Sequence, residues 1–218
     1  MIQSLTNSNL RLRNINRYFI EGEIIVMRKD ITIRTENEKD FEEINKLVIR
    51  SFTEGTDYSD GTDVVALIKE IRAGEYYIPE LSLVAEINGK IVGHVMFSHF
   101  PLSTTEKKAD YDRSIKKTET VMLAPVSVHA DYFRQGVGST MIKLGIEKVK
   151  EKDYKGIQVE GNPAFYSTLG FITSSKYNIH PTSGWPMQAP ECMMYQETYS
   201  GSLVGISGYV VYDMYKNA

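Results

Sequence analysis

The stretch Val126-Ser127-Val128-His129-Ala130-Asp131-Tyr132-Phe133-Arg134-Gln135-Gly136-Val137-Gly138-Ser139 decides the fold class. Its first residues continue a strand-like alternation that begins at Thr120 and runs through Val121, Leu123, Val126 and Val128. Its last residues open a helix whose Met141, Ile142, Leu144, Ile146 and Val149 are apolar up to Lys150. A short apolar strand follows at residues 156–159. A strand, a helical crossover and a second strand make parallel neighbours in one sheet.

Working outward, Ile31 and Ile33 alternate as in a short strand, and Asn37 can cap a helix with Phe41, Ile44, Leu47, Val48 and Phe52 on one face. Residues 54–61 read as a polar loop. Val64, Leu67, Ile68 and Ile71 then mark a second helix that stops near Ala73-Gly74. Residues 81–87 and 91–100 are strands joined at Asn88-Gly89, the pair best suited to a tight hairpin turn. Residues 104–117 are charged and patternless, a long excursion. Asn162-Pro163 opens a short helix that Leu169-Gly170-Phe171 closes, and residues 193–198 and 209–212 are further strands. The alternation predicts an α+β domain with a mixed sheet flanked by helices.

Composition narrows the function classes. The 218 residues are 42% hydrophobic and 24% charged, as in a folded domain that buries its own core. One cysteine, Cys192, excludes a disulfide framework and a Cys-rich zinc site and points to a reducing cytoplasm. The balance of 25 Lys+Arg against 28 Asp+Glu leaves net −3, no footprint for nucleic acid or an anionic membrane. No apolar run approaches the roughly 18 residues of a membrane span. His94 and His99 fall on opposite faces of one strand, and the four histidines show no ligand spacing, so no metal is expected.

At the junction of loop and helix, Gly136-Val137-Gly138 places N–H groups without helical partners around one spot, where the helix dipole adds positive potential. Such an end binds phosphate or pyrophosphate, and Arg134 adds charge beside it. The plain alternative is that the glycines serve only tight packing. A Walker A loop needs Gly-Lys-Ser/Thr, which is absent. A Rossmann fingerprint needs a third small residue where Met141 stands, although Glu160 lies at a suitable distance for a ribose acid. A coenzyme A loop is the third option.

Four stretches taken together resemble the GNAT superfamily of N-acetyltransferases, and within it the YhbS-like subgroup of bacterial predicted acetyltransferases. Leu123-Ala124-Pro125-Val126-Ser127-Val128-His129 is similar to that family's central strand. Gln135-Gly136-Val137-Gly138-Ser139 matches the second half of its Q/R-x-x-G-x-G/A signature. Gly161-Asn162-Pro163-Ala164-Phe165-Tyr166 with Gly170-Phe171 matches the later helix beside the pantetheine arm. Trp185-Pro186 and Glu191-Cys192-Met193-Met194, leading to Gly201-Ser202-Leu203, resemble the subgroup's tail. Two positions depart from the signature: Phe133 stands at the first Q/R position, and Ala130 replaces the usual proline.

The resemblance implies acetyl-CoA as co-substrate, a parallel strand pair splayed around the acetyl-CoA loop, and direct attack by an amine on the thioester. It implies pyrophosphate binding by Arg134, Gln135, Gly136, Val137, Gly138 and Ser139, and pantetheine contacts from Val126, Ser127, Val128, Asn162, Phe165 and Tyr166. Val128 N–H is the expected oxyanion donor. Tyr166, a phenol protonated at neutral pH, is the expected general acid. For the general base, Glu160, His129, Glu54, Asp57 and Tyr58 stay open. Trp185 lies in a loop that in this fold borders the acceptor pocket and often a homodimer contact. A Cys192 acyl-enzyme is disfavoured by its apolar surroundings, Met193 and Met194. The alternative in a different class is a non-catalytic acyl-CoA-binding regulatory module.

Residues 1–26 stand apart from residues 27–218, the single acetyl-CoA-binding domain. They are Ser/Asn-rich at first, carry Arg11, Arg13 and Arg17, and lack a signal-peptide core. They are expected to be an unstructured leader or an upstream-extended start. Glu21-Gly22-Glu23 can be encoded by a purine-rich stretch resembling a ribosome-binding site before Met27.

Overall fold

The computed structural model describes residues 15–20, 23–28, 31–55, 59–100, 102–103, 115–116, 120–181 and 189–210. Strands β1 (Ile15–Ile20) and β2 (Glu23–Arg28) form an antiparallel ribbon with Asn16 opposite Met27. Residues 15–20 and 23–26, expected to be unstructured, are therefore strand. Tyr18-Phe19-Ile20 and Ile24-Ile25-Val26 are the aromatic and β-branched types that favour it, and the Ser/Asn-rich start masks them.

The main sheet has seven strands. In chain order these are β3 (Ile31–Thr35), β4 (Ser82–Ile87), β5 (Lys90–His99), β8 (Thr120–Val128), β9 (Gly156–Glu160), β10 (Ile172–Thr173) and β12 (Met193–Glu197). They lie in the order β10-β12-β9-β8-β5-β4-β3, and every neighbouring pair is antiparallel except β8 and β9. A smaller sheet, in the order β11-β13-β6-β7, joins β6 (Leu102–Ser103), β7 (Ile115–Lys116), β11 (Ile179–Pro181) and β13 (Gly208–Val210). The mixed α+β sheet is as expected, and the hairpin turns where predicted, with Asn88 at φ 51 and Gly89 at φ 76.

Each face of the main sheet carries its own core. On one face lie α1 (Phe41–Gly55) and α2 (Thr62–Ala73), whose Ile44, Leu47, Val48, Val65, Ile68 and Ile71 are buried against Val84, Met96 and Met122. On the other lies α3 (Val137–Glu151), whose Val137, Met141, Ile142, Ile146 and Val149 pack on Ala85, Val95, Phe97 and Leu123. Each such side chain contributes roughly 1.5–3 kcal/mol, so the two stripes hold the helices to the sheet. Asn37 caps the turn before α1 as its sequence position predicts: its side chain accepts from Lys39 N, and Asp40 returns a bond to Asn37 N. α1 runs two residues into the expected loop and absorbs Glu54, which Arg50 reaches at 2.8 Å across one helical turn.

Candidate active site

The parallel pairing of β8 and β9 lasts only from Thr120 opposite Gly156 to Met122 opposite Gln158. Beyond that, β8 stays paired with β5 and β9 with β12, so a gap opens between two strands of one sheet. Pro125, which has no N–H to pair, sits where the β5/β8 register slips by a residue. His129 N–H donates to Val92 O at 2.8 Å, and antiparallel neighbours alternate. The N–H groups of Val126 and Val128 therefore face the gap, while that of Ser127, opposite His94, faces β5. Ser127 is thus corrected as a main-chain donor. Val128 N–H meets a residue the sequence reading missed: it donates to Ser51 Oγ on α1 at 3.3 Å.

The loop leaving β8 is a 3-10 turn capped by His129, whose Nδ1 accepts from Asp131 N. Phe133 is exposed, and its ring lies beside the last residue of α1, 3.7 Å from where a Cβ on Gly55 would stand. Arg134 at φ 58 and Gly136 at φ 81 turn the chain into α3. Gly136 has no side chain to cap the helix, and the first turn carries no acid. The N–H groups of Val137, Gly138 and Ser139 lack acceptors within the helix, and the positive end of a 15-residue dipole is left open. Ser139 Oγ turns back onto Gly136 O at 3.0 Å. The terminus lies beside the end of the gap: a Cβ on Gly138 would stand 3.4 Å from Val128 Cγ2, an ordinary van der Waals contact.

On the far side of the gap, β9 runs into α4 (Pro163–Tyr166), with Asn162 Oδ1 accepting from Ala164 N at 2.9 Å and Pro163 at the first helical position. Tyr166 is buried. Its ring packs edge-on to Phe171 at 5.7 Å and Phe165 at 5.0 Å and lies against Gly161, where any side chain would collide with it. The Tyr166 ring is therefore fixed by packing, while Phe165 is exposed.

The candidate bases scatter. Glu160 ends β9 opposite Met193, His129 is engaged in its cap, and Glu54 pairs with Arg50. Asp57, Tyr58 and Trp185 lie outside the described residues. Burial, with Glu191 and Glu160 nearby, pushes the Cys192 thiol up, the wrong direction for an activated thiolate. Among the described residues no group of three His, Cys, Asp or Glu could hold a metal ion, and no helix is long and apolar enough to cross a membrane.

Sequence reading also missed a buried cluster. Glu36 accepts from Arg72 Nε at 3.0 Å and from a second guanidinium nitrogen at 2.7 Å, from Tyr77 Oη at 2.8 Å, and lies 3.0 Å from His94 Nε2. Burial alone would raise the Glu36 carboxyl, but bonds from His94 and Arg72 outweigh it and hold the group at about 2. Burial lowers His94 despite Glu36, so the imidazole is neutral at pH 7. The available signal was Arg72 within the apolar stripe of a helix and His94 in the inward phase of a strand, two groups that together demand a buried acid.

Comparison with known proteins extends this geometry to a family. Residues 41–171 match the acetyltransferase (GNAT) family. The chain is 28% identical over 169 residues to "Uncharacterized N-acetyltransferase YjhQ" of Escherichia coli, covering 76% of this chain and 83% of that one. It is 25% identical over 186 residues to "Uncharacterized N-acetyltransferase YhbS" of the same organism, covering 85% and 98%. The crystal structure of E. coli YhbS in complex with CoA superposes with a TM-score of 0.68 at 24% identity, over 83% of this chain and 88% of that one. A GNAT family acetyltransferase from Brucella melitensis in complex with acetyl-CoA gives a TM-score of 0.55 at 26% identity, over 65% and 82%. With its family match spanning more than half its length, the chain belongs to the GNAT family and is an N-acetyltransferase.

Proposed function

We propose that the chain moves the acetyl group of acetyl-CoA to a primary amine of a small molecule or peptide by direct attack. The observation that carries this is the uncapped, acid-free N-terminus of α3, which lies beside Val128 at the end of the β8/β9 gap. A pyrophosphate at that terminus leaves the gap for an extended amide-bearing arm. The Brucella relative with acetyl-CoA and the YhbS fold with CoA support the same co-substrate.

The chemistry needs orientation, an oxyanion donor and a proton for the leaving thiolate. Val128 N–H turns from Ser51 Oγ to the thioester oxygen as negative charge develops there. The Tyr166 hydroxyl gives its proton to the departing sulfur. Because a thiolate of pKa near 8.5 leaves readily, Tyr166→Phe is expected to lower kcat by about 10²-fold or less, with the ring packing and acetyl-CoA affinity unchanged. Unchanged turnover would return Tyr166 to packing alone.

A thiol-release assay against polyamines, aminoglycosides, amino acids and peptide N-termini tests the reading, paired with calorimetry for acetyl-CoA. Amine-dependent CoA release is expected; tight binding with no turnover would favour the regulatory module. We place the activity in the cytoplasm, without a metal or nucleic acid, and propose a homodimer as its assembly. A natural start at Met27 remains our proposal, and it would remove all of β1 and residues 23–26 of β2, leaving only Met27 and Arg28 of the ribbon. Intact mass of the native gene's product decides it, and a chain beginning at Met1 would sink the idea.

A further inference from the structure

Among the buried residues of α1, Ile44, Leu47, Val48 and Ser51, the serine alone is polar. Their spacing of i, i+3, i+4 and i+7 is that of one helix face, so Ser51 stands where the apolar stripe against the sheet would continue. It is also the residue of that stripe that reaches the gap. Its Oγ accepts from Val128 N–H at 3.3 Å, and 9% of its surface stays exposed. The end of α1 borders the loop into α3 as well, through Gly55 and the Phe133 ring.

A serine hydroxyl has one hydrogen to give and two lone pairs to receive with. Ser51 uses a lone pair on Val128 N–H, and among the described residues nothing takes its hydrogen, not even Leu47 O one turn back, the usual partner of a helical serine. The bond from Val128 is long, since N–H···O contacts centre on about 2.9–3.0 Å, so a better acceptor displaces it at little cost. An oxygen about 2.9 Å from Val128 N and about 2.7 Å from Ser51 Oγ closes a triangle on their 3.3 Å separation. One oxygen can therefore accept from both groups without either element moving.

We infer that the Ser51 hydroxyl is a second donor to the thioester oxygen of acetyl-CoA, acting beside Val128 N–H, and so a catalytic residue of the acetyl transfer. This rests on the acetyltransferase reading. In the free protein the hydroxyl keeps the oxygen's place by accepting from Val128. With acetyl-CoA bound, it turns from acceptor to donor. As the amine nitrogen bonds to the carbonyl carbon, the C=O electron pair moves onto the oxygen, which then accepts from Ser51 and Val128 together. The pair returns as the C–S bond breaks, and Ser51 keeps its hydrogen throughout. The amine's proton leaves to solvent, and the thiolate takes one from Tyr166, which recovers it from solvent, so charge and atoms balance. Hydrogen bonds to an ionised acceptor are roughly twice as strong as neutral ones, so the second donor favours the transition state over the bound thioester.

Two measurements on the full chain test this. Infrared spectra of acetyl-CoA labelled with carbon-13 at the thioester carbonyl, bound without an amine, are expected to show the C=O stretch at lower frequency on wild type and Ser51→Thr than on Ser51→Ala. One frequency on all three proteins overturns the Ser51 contact and leaves acetyl-CoA binding standing. With an amine that is turned over, Ser51→Ala is expected to lower the single-turnover rate by about 10²-fold at unchanged affinity for acetyl-CoA, and Ser51→Thr to restore most of it. A serine that only fills the stripe and satisfies Val128 gives the opposite pattern, a lower Tm in Ser51→Ala with full turnover, and that result overturns the donor role. Wild type that binds no acetyl-CoA sinks the acetyltransferase reading and the Ser51 contact together. If acetyl-CoA binds and no amine is acetylated, the proposed function fails, while the spectra still decide the contact.

Discussion

Gly138→Asp is expected to weaken acetyl-CoA binding by about two orders of magnitude or more while the protein melts no lower than wild type. The two effects have opposite signs for one reason. A carboxylate in the first turn of α3 meets the positive end of the dipole and stabilises the free helix by about 0.3–1 kcal/mol, and it replaces a poor helix former. On the proposed reading, the same carboxylate then stands where the pyrophosphate binds. Like charges about 4 Å apart near a protein surface repel by about 4 kcal/mol, and each 1.4 kcal/mol is a factor of ten. Gly138→Ala separates shape from charge: its Cβ stands 3.4 Å from Val128 Cγ2, an ordinary van der Waals contact, so the loss stays within about tenfold. Calorimetric titration of all three proteins checks the order. Equal losses in the alanine and aspartate variants would remove the electrostatic account of this terminus.

Glu36→Ala is expected to lower stability by about 3–5 kcal/mol, because it strands the buried Arg72 guanidinium along with His94 and Tyr77. For a chain of this size that is a fall in Tm on the order of 10 °C. The pH dependence has the same origin. Glu36 is held at about 2 against an ordinary 4.5, so its contribution is complete above 4.5 and lost as pH falls towards 2. His94 is held below its ordinary 6.5, so the folded chain binds fewer protons than the unfolded one just below that pH. Stability is therefore expected to decline from about pH 6.5 downward, in two stages, and Glu36→Ala should lose the lower stage. Urea titrations from pH 7.5 to 3.5 measure it; a wild type equally stable at pH 7.5 and 4 would contradict the cluster's role.

The main architecture was legible because periodicity and turn chemistry agree in this chain. Asn88-Gly89 fixes the β4/β5 hairpin, and the apolar stripes of α1, α2 and α3 each point to a sheet face. The gap was implied only through resemblance, since the pairing that ends at Met122 and Gln158 leaves no mark in local residue types. Ser51 and Glu36 were invisible for a related reason. Serine on a helix and glutamate after a strand are ordinary surface residues until tertiary contacts bury them against Val128 N–H and Arg72. The β1/β2 ribbon was missed by weighing the composition of residues 1–16 over the β-branched run that follows.

The early end of the β8/β9 pairing also divides the main sheet mechanically. One part holds β10, β12 and β9, the other β8, β5, β4 and β3, and three residue pairs join them. Free strand edges ordinarily template pairing with other chains. These inner edges lie between α1 on one face and α3 on the other. On the proposed reading, the cofactor is a splint laid across the seam between two half-sheets. With it gone, β9 and the helix that carries Tyr166 stay joined to the strand that carries Val128 by those three residue pairs alone.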